Sequence, residues 1–322
     1  MKKIGILTSG GDAPGMNAAV RAAVRCGIER GMEVYGIKRG YEGLLDGEIV
    51  KMEWHSVGDI LQRGGTILRT ARSARFMEQK WVDHGARMLE AFGIDGLIVV
   101  GGDGSFRGGV DLSKRGISVM GVPGTIDNDL AYTDFTIGFD TAVNTILGLI
   151  SNIRDTSSSH ERSTIMEVMG RHCGDLALYS GLAGGADVIL VPEVKCDINE
   201  VCRRVLQGQA TGKAHSLIVM AEGFDMDATE LAKTLEEMTG REARAVVPGY
   251  IQRGGSPTEK DRRLATVTTA KAVDLLYDDS DSKTIGVAGE ELIEMDLTEA
   301  LRVEPVFRLD LYELANVLGK GK

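Results

Sequence analysis

Proline, cysteine and long apolar runs are all scarce in this chain of 322 residues. The longest apolar runs, such as Leu97–Val100 and Val188–Val191, are far shorter than the roughly 20 residues that a membrane-spanning helix requires. The four cysteines form neither a Cys-x-x-Cys pair nor a zinc-ligand spacing, which predicts free thiols and a cytoplasmic location. A net charge of −10 argues against a nucleic-acid or membrane partner.

Glycine, by contrast, is abundant, with 42 of the 322 residues against a typical usage of about 7%. With only 6 prolines and no strict Gly-X-Y period, the chain is neither a low-complexity linker nor a collagen. Glycine lets a backbone turn tightly or approach a ligand closely. The positions of the glycines therefore have to decide between a loop-rich chain and one with several ligand-binding turns.

Short apolar runs alternate with segments of helical periodicity, which is typical of a layered α/β protein with mostly parallel sheets. The pattern predicts strands over 3–7, 33–37, 96–100, 118–122, 164–169, 188–191, 217–221 and 284–287. It predicts helices over about 17–30, 81–92, 202–209, 229–239 and 271–276, and a long helix that begins near Asp140. These elements indicate two α/β layers with a boundary near the start of the Asp140 helix.

Three glycine-rich segments stand between or after these elements. Gly10–Asn17 joins the first strand to the first helix, and Gly101–Ser105 directly follows a buried strand. The backbone N–H groups of such turns and the N-terminus of the next helix can bind phosphate, although a structural tight turn explains the first segment equally well. Gly64–Thr66, followed by Arg69, Arg72 and Arg75, is a third candidate for anion binding or else a solvated basic loop.

The segment Pro123–Asp129 contains the groups that point to catalysis. Asp127 and Asp129 stand two residues apart after a predicted strand, with the hydroxyl of Thr125 beside them. A carboxylate there can accept a proton from an attacking hydroxyl, which is the general-base role in phosphoryl transfer. Ligands of open parallel sheets bind at the carboxyl ends of the strands, where this segment is expected to lie. An Asx-rich turn before an exposed loop is the alternative.

Taken together, six segments resemble those of the bacterial 6-phosphofructokinases. They are Gly-Gly-Asp-Ala-Pro-Gly-Met-Asn at 10–17, Gly-Gly-Thr at 64–66 with Ala71-Arg72, Gly-Gly-Asp-Gly-Ser at 101–105, Pro-Gly-Thr-Ile-Asp-Asn-Asp at 123–129, Met-Gly-Arg at 169–171 and Gln-Arg-Gly-Gly-Ser-Pro at 252–257. The resemblance extends over essentially the whole chain, in the order and spacing of that family. It implies two similar layered α/β domains with the active site in the cleft between them.

The resemblance also implies the domain bounds and the reaction. A larger ATP-binding domain would comprise 1–138 plus about 255–304, and a smaller fructose 6-phosphate-binding domain 139–254 plus about 305–322. The family transfers the γ-phosphoryl group of MgATP to the 1-hydroxyl of fructose 6-phosphate. The implied catalytic residues are Thr125, Asp127, Asp129, Arg171 and Gly11. Among them Asp127 would be the general base, and Arg171 would neutralise charge on the transferred group.

Binding residues are implied in the same way. ATP would contact Gly11, Tyr41, Arg72, Ser73, Gly102, Asp103, Gly104 and Ser105, and Asp103 would also bind Mg²⁺. Fructose 6-phosphate would contact Thr125, Asp127, Arg162, Met169, Gly170, Arg171, Glu222, Arg244, Tyr250 and Arg253. In the family Arg162 and Arg244 come from a neighbouring subunit, which implies a homotetramer. Asp155–Ser159 has the composition of a flexible loop and is expected to position Arg162.

Two positions favour ATP over pyrophosphate as the phosphoryl donor. Pyrophosphate-dependent relatives have bulkier or charged side chains where this chain has Gly104 and Gly124, and such groups would fill the nucleotide space. Tyr250 stands where many bacterial relatives have histidine. Because a phenol still forms hydrogen bonds but is not cationic near neutral pH, sugar-phosphate binding is expected to persist.

An effector site for ADP, GDP or phosphoenolpyruvate is a further feature of the family. The residues of this chain that match or resemble those of the effector site are Arg21, Arg25, Arg154, Gly185, Asp187, Lys213 and His215. Trp54 and Thr211, however, replace basic residues of well-regulated relatives. Because each lost charged hydrogen bond costs about 1.5–3 kcal/mol, we predict weak or altered allostery.

Other functions are compatible with parts of this pattern. A pyrophosphate-dependent phosphofructokinase and a non-catalytic sugar- or nucleotide-binding α/β protein are the main alternatives. Proteins similar to NAD kinases or lipid kinases share a Gly-Gly-Asp-Gly segment but lack the segments at 125–129 and 252–257. A dehydrogenase is disfavoured because no Gly-x-Gly-x-x-Gly follows either of the predicted strands over 3–7 and 96–100.

Overall fold

The computed structural model describes residues 2–320, and contacts within the chain divide it into two compact units. Unit 1 comprises Met1–Thr141 and Arg253–Pro305, and unit 2 comprises Ala142–Gln252 and Val306–Lys322. Arg253, which the expected boundary at 254 assigned to the smaller domain, therefore belongs to unit 1. No helix within residues 2–320 is long and apolar enough to cross a membrane.

Strands and helices alternate along the described chain. The strands are β1 (Lys3–Thr8), β2 (Glu33–Ile37), β3 (Ile49–Met52), β4 (Gly96–Gly101), β5 (Ser118–Thr125), β6 (Ile137–Gly138), β7 (Ser163–Val168), β8 (Val188–Leu190), β9 (Ser216–Ala221), β10 (Ala243–Val246), β11 (Lys283–Ala288) and β12 (Glu291–Asp296). The helices are α1 (Met16–Glu29), α2 (Gly40–Leu45), α3 (Gln79–Phe92), α4 (Asp103–Ser113), α5 (Phe139–Ser159), α6 (Asp175–Gly184), α7 (Ile198–Ala210), α8 (Ala228–Thr239), α9 (Glu259–Tyr277), α10 (Leu297–Ala300) and α11 (Leu309–Leu318). The predicted α/β class with mostly parallel sheets is confirmed.

Unit 1 is built on one mixed sheet with the strand order β12-β11-β5-β4-β1-β2-β3, and β6 pairs with β5. Strands β1, β2, β4, β5 and β11 run parallel, and β3 and β12 are antiparallel edge strands. The inner strands are almost entirely buried, as expected for parallel strands covered on both faces. Because β1, β4 and β5 are parallel neighbours, their carboxyl ends meet at one edge of the sheet.

Unit 2 has a smaller, wholly parallel sheet with the order β10-β7-β9-β8. Strands β7 and β9 pair in register from Ser163 and Ser216 to Val168 and Ala221. One core cluster packs apolar side chains of α7 and α8 against this sheet, including Val205, Leu231 and Leu235. The parallel pairing places the residues that follow β7 and β9 at the same edge.

The structure differs from the predicted elements where polar residues continue a helix. The predicted helix over 271–276 is only the end of α9, whose polar first turns are capped by the Thr258 hydroxyl on the N–H of Asp261. Asp155–Ser159, which resembles a loop by composition, forms the last turns of α5. There the hydroxyl of Ser159 donates to the carbonyl of Asp155, so its polar groups are satisfied within the helix.

Candidate active site

A cavity of about 630 Å³ in unit 1 lies at the carboxyl ends of β1, β4 and β5. The predicted site residues that line it are Gly11, Tyr41, Arg72, Ser73, Gly102, Asp103, Gly104, Ser105, Thr125, Asp127, Asp129 and Arg253. All three parallel strands therefore contribute, as the pattern of glycine-rich strand ends predicted.

The third glycine-rich segment contributes less than its sequence indicated. Gly64–Thr66 does not line the cavity, and the side-chain amide of Asn17 donates to the carbonyl of Gly64 at 3.2 Å. Arg75 forms ion pairs with Glu42 and Asp46 on the surface. Anion binding by Gly64–Thr66 therefore stays a prediction, whereas Arg72 from the same stretch does reach the cavity.

The turn after β1 lies directly against Arg253. A Cβ added at Gly11 would come within 2.9 Å of the guanidinium carbon of Arg253 and closer still to its nearest nitrogen. The same guanidinium donates to the carbonyl oxygen of Asp12 at 3.3 Å. Glycine at position 11 thus provides the space in which Arg253 lies.

The turn after β4 leads directly into α4, which begins at Asp103. The first turn of a helix leaves backbone N–H groups without helical partners, and they can bind phosphate. Asp103 forms an ion pair with Arg107 one turn later, at 2.9 Å between Oδ2 and Nε. A Cβ at Gly104 would meet no atom within 4 Å, so a side chain there would extend into open space at the cavity wall.

The turn after β5 contains the predicted catalytic residues, and we call Thr125–Asp129 the catalytic turn. It is hydrogen-bonded on both sides of Asp127. The N–H of Asp127 donates to the hydroxyl of Thr125 at 3.2 Å. Asn128 adopts the left-handed conformation with φ of 54°, and its side-chain oxygen accepts from the N–H of Thr136 at 3.0 Å. Asp127 is half-buried and Asp129 exposed, and both carboxylates line the cavity.

Tyr41 has a structural role that the sequence did not indicate. Its ring stacks on Phe76 at a centroid distance of 4.2 Å, and its hydroxyl donates to the carbonyl oxygen of Ser105 at 2.6 Å. Burial raises the pKa of the Tyr41 phenol well above its usual range. Tyr41 thus lines the cavity with its ring and supports α4 with its hydroxyl.

Cavity residues that sequence reasoning missed are Phe76, Met77, Arg107, Gly108 and Asp111. Arg107 had a readable signal, because it stands four residues after Asp103 on a helix. Since α4 itself was not predicted from its glycine-rich sequence, that spacing could not be used. Phe76 had no signal, because only the folded chain brings its ring to Tyr41.

In unit 2 one group of predicted sugar-phosphate residues gathers at the carboxyl ends of β7 and β9. Met169, Gly170 and Arg171 follow β7, and Glu222 follows β9 and donates its N–H to the carbonyl of Val168 at 2.8 Å. The N–H of Met169 donates to the side chain of the buried Gln252 at 3.0 Å.

A second group lies at the amino-terminal ends of the strands of the same sheet. Arg162 precedes β7 and Arg244 lies at the start of β10, which pairs with β7. Both guanidinium groups approach Glu242, at 3.8 Å and 2.8 Å respectively. The Nε of Arg162 is buried without a hydrogen-bond partner among residues 2–320. Within one chain the structure thus separates Arg162 and Arg244 from Met169 and Arg171 by the length of β7.

Tyr250 is 83% exposed, in a short 3₁₀ helix over Gly249–Arg253. Val247 and Ile251 beside it are also exposed apolar residues. These three exposed apolar side chains lie within five positions of the chain. Exposed patches of this type mark interaction surfaces.

The predicted effector residues of unit 2 form one cluster. Arg154 donates to the carbonyls of Gly184 and Gly185, and Lys213 pairs with Asp187. Burial, together with the charges of Arg154 and Lys213, lowers the pKa of His215. Its Nε2 is buried without a hydrogen-bond partner in the described part of the chain.

Arg25, Trp54 and Thr211 do not form the cluster of basic side chains that an anionic effector would need. In unit 1 the guanidinium of Arg25 stacks over the ring of Trp54 at 4.8 Å, and Trp54 is 49% exposed. In unit 2 the hydroxyl of Thr211 donates to the carbonyls of Gln207 and Gly208 at the end of α7. Neither Trp54 nor Thr211 has a cationic side chain.

No group of three or more His, Cys, Asp or Glu side chains within residues 2–320 could hold a metal ion alone. Asp103, Asp127 and Asp129 nevertheless line one cavity, next to the start of α4. Magnesium commonly binds one or two carboxylates together with substrate phosphates and water. The donor set therefore fits Mg²⁺ that arrives with a nucleotide.

The fold and the cavity define an α/β protein with a cavity at the carboxyl ends of parallel strands, lined by glycine-rich turns and by carboxylates. The family model described as phosphofructokinase matches residues 3–276, and the chain belongs to this family. It is 56% identical over 320 residues to a protein of Clostridium botulinum (strain Loch Maree / Type A3) named ATP-dependent 6-phosphofructokinase, covering 99% of this chain and 100% of that protein.

Solved structures show the same fold. The phosphofructokinase of Saccharomyces cerevisiae superposes with a TM-score of 0.89 at 33% identity, covering 100% of this chain and 48% of the yeast chain. A pyrophosphate-dependent phosphofructokinase from Marinobacter aquaeolei superposes with a TM-score of 0.88 at 21% identity, over 100% of this chain and 92% of that chain. At this identity the second similarity concerns the fold alone, so the fold does not decide the phosphoryl donor.

Proposed function

We propose that this chain transfers the γ-phosphoryl group of MgATP to the 1-hydroxyl of fructose 6-phosphate, giving fructose 1,6-bisphosphate and ADP. The observation that carries the proposal is the convergence of Asp127 and the glycine-rich ends of β1, β4 and β5 on one cavity. Family membership and the names of relatives that match the chain over its full length support it.

Asp127 is the proposed general base. Its carboxylate accepts the proton of the sugar hydroxyl while the hydroxyl oxygen forms a bond to the γ-phosphorus and the bond from that phosphorus to the ADP oxygen breaks. The hydrogen bonds of Thr125 and Asn128 hold the backbone on either side of this carboxylate. Asp129 is a second carboxylate on the same cavity wall.

The proposed nucleotide contacts are the turns at Gly11 and Gly102–Ser105, together with Arg72 and Ser73. Backbone N–H groups and the start of α4 suit the β- and γ-phosphates, and Arg72 adds charge-assisted hydrogen bonds. We assign Mg²⁺ to Asp103, which already lies at that helix start. When bound, the ion neutralises charge on the phosphates.

The donor assignment to ATP rests mainly on Gly104. A side chain there would enter open space at the cavity wall, where it would compete with a nucleotide. Gly124 is less informative, because a Cβ would come within 2.9 Å of Cγ1 of Val100. Packing alone therefore favours glycine at position 124 in this chain, whichever donor is used.

We assign the sugar phosphate to Met169, Gly170, Arg171 and Glu222, which follow β7 and β9 in unit 2. Arg162 and Arg244 lie at the opposite edge of the unit 2 sheet, so in one chain they cannot join Arg171 at the same phosphate. We therefore propose that a second copy of the chain supplies them. The unpartnered Nε of Arg162 and the exposed apolar side chains of Val247, Tyr250 and Ile251 support such self-association, up to the homotetramer of the family.

Because Trp54 and Thr211 offer no cation, we propose a weak response to ADP and phosphoenolpyruvate. The cytoplasmic location stays a prediction from cysteine usage.

A coupled assay that crosses ATP and pyrophosphate with several sugar phosphates tests the function. We expect turnover with ATP and fructose 6-phosphate, and little with pyrophosphate. Asp127→Asn should lower kcat by about 10²–10⁴-fold while fructose 6-phosphate still binds. Asp134→Asn, outside the cavity on the same loop, is the matched control. Turnover with pyrophosphate alone would reassign the donor, and an unimpaired Asp127→Asn enzyme would remove Asp127 from its role.

A further inference from the structure

A buried carboxylate outside the cavity is bonded to the segment that follows the catalytic turn. Asp261 of α9 is 1% exposed. Its oxygens accept hydrogen bonds from the N–H of Gly138 at 2.9 Å, the N–H of Thr141 at 2.8 Å and the hydroxyl of Thr141 at 2.5 Å. Burying a carboxylate is costly unless such donors surround it, and here three donors offset that cost.

One consequence of these bonds is local. Thr141 lies in the first turn of α5, where backbone N–H groups lack helical partners. Asp261 therefore caps α5 from another helix, and its carboxylate also interacts favourably with the helix dipole. The hydroxyl of Thr141 accepts in turn from the N–H of Thr258, which ties the starts of α5 and α9 together.

The second consequence reaches the catalytic turn through β6. Gly138 pairs with Thr125 in the parallel β5–β6 ladder. Two residues earlier, the hydroxyl of Thr136 donates to the carbonyl of Thr125 at 2.7 Å, and its N–H donates to the side chain of Asn128 at 3.0 Å. The residues on both sides of Asp127 are thus bonded to the segment 136–138, and Asp261 holds the end of that segment.

Packing leaves this segment little room to adjust. Gly138 has a φ of 103°, and a Cβ there would come within 2.7 Å of Cβ of Ala13 and 3.2 Å of Cγ2 of Ile126. The strand β6 is therefore wedged between the first glycine-rich turn and the catalytic turn. A displacement of Asp261 would therefore displace Gly138 and the residues packed against it.

We propose that Asp261 is a positioning residue for phosphoryl transfer, which fixes β6 and through it the carboxylate of Asp127. This inference rests on the proposed function for its catalytic consequence. It does not place Asp261 in contact with substrate, because Asp261 does not line the cavity.

Asp261→Asn is the first test, since the amide keeps the size but loses one of the acceptor oxygens. We expect kcat to fall by about 100-fold, because a misplacement of roughly 1 Å has such an effect, while the Kd of ATP measured by calorimetry stays unchanged. Thr141→Val should lower kcat in the same direction, and Thr141→Ser, which keeps the hydroxyl, should restore it. Thr268→Val is the control, because it removes a buried hydroxyl of α9 that bonds only within the helix.

Amide hydrogen exchange separates a failure of this inference from a failure of the proposed function. We expect Asp261→Asn and Thr141→Val to speed exchange over 124–138 and to leave 96–105 unchanged. This readout holds even if the wild-type chain proves to phosphorylate another substrate. Unchanged exchange over 124–138 would overturn the inference. So would a kcat of both variants equal to that of Thr268→Val at a temperature where all are folded.

Discussion

The guanidinium of Arg253 lies against the backbone of Gly11, 242 positions away in the sequence, with no space for a Cβ between them. This contact joins the first glycine-rich turn to the Gln-Arg-Gly-Gly-Ser-Pro segment. It also explains why a residue expected at the sugar phosphate lines the same cavity as the nucleotide residues.

Gly11→Ala should displace Arg253 and impair catalysis without unfolding unit 1. We expect kcat/KM for fructose 6-phosphate to fall by about 100-fold, since the added methyl group clashes with the guanidinium. Steady-state kinetics and a thermal melt measure the two effects. Gly148→Ala in α5, where a Cβ meets nothing within 4 Å, is the matched control. Equal kinetics of the two variants would show that Arg253 has no part in turnover.

Gly104→Asp and Gly124→Ala should fail in different ways. The first places a carboxylate at the cavity wall without a steric clash. We therefore expect the KM for ATP to rise by tenfold or more and the melting temperature to stay unchanged. The second presses on Val100, so we expect a loss of about 1–3 kcal/mol in the free energy of unfolding. Denaturant melts and ATP titrations distinguish them. An unchanged KM for ATP in Gly104→Asp would contradict the proposed nucleotide contact.

Trp54→Arg combined with Thr211→Lys should strengthen effector control. The wild-type protein has Arg25 stacked on Trp54 and has Thr211, rather than a basic residue, at the C-cap of α7, so we expect a weak response to ADP. The double variant adds two cations, each able to form a charged hydrogen bond of about 1.5–3 kcal/mol. Sugar-phosphate saturation curves with and without ADP measure the change. A strongly sigmoidal wild-type curve that ADP relieves would contradict the prediction.

His215 should make unit 2 less stable as the solution becomes acidic. Its pKa in the folded chain is lowered from 6.5 by burial and by Arg154 and Lys213, so the unfolded chain binds its proton more tightly. The free energy of unfolding therefore falls as the pH drops through about 6.5 and is recovered above it. Urea melts between pH 5 and 8 measure this slope, which His215→Gln should reduce. An NMR titration midpoint above 6.5 would reverse the sign.

The strand ends were predictable because buried parallel strands leave a clear apolar signal, and each was followed by glycine or carboxylate residues. Gly102–Ser105 and Thr125–Asp129 were therefore placed correctly at one edge. Asp261 was not identified, because its partners lie more than 100 residues earlier and its neighbours look like an ordinary polar surface helix. The stacking of Arg25 on Trp54 was equally invisible, since a sequence shows a lost cation but not where the remaining one lies.

The position of Arg162 and Arg244 at the far edge of the unit 2 sheet has a genetic consequence. If one copy provides Asp127 and another provides Arg162, a chain with Asp127→Asn and a chain with Arg162→Ala are each inactive alone. Assembled together, they form some sites in which both residues are intact. Two defective alleles would then complement each other. The activity of the mixture would depend on how many copies contribute residues to each site.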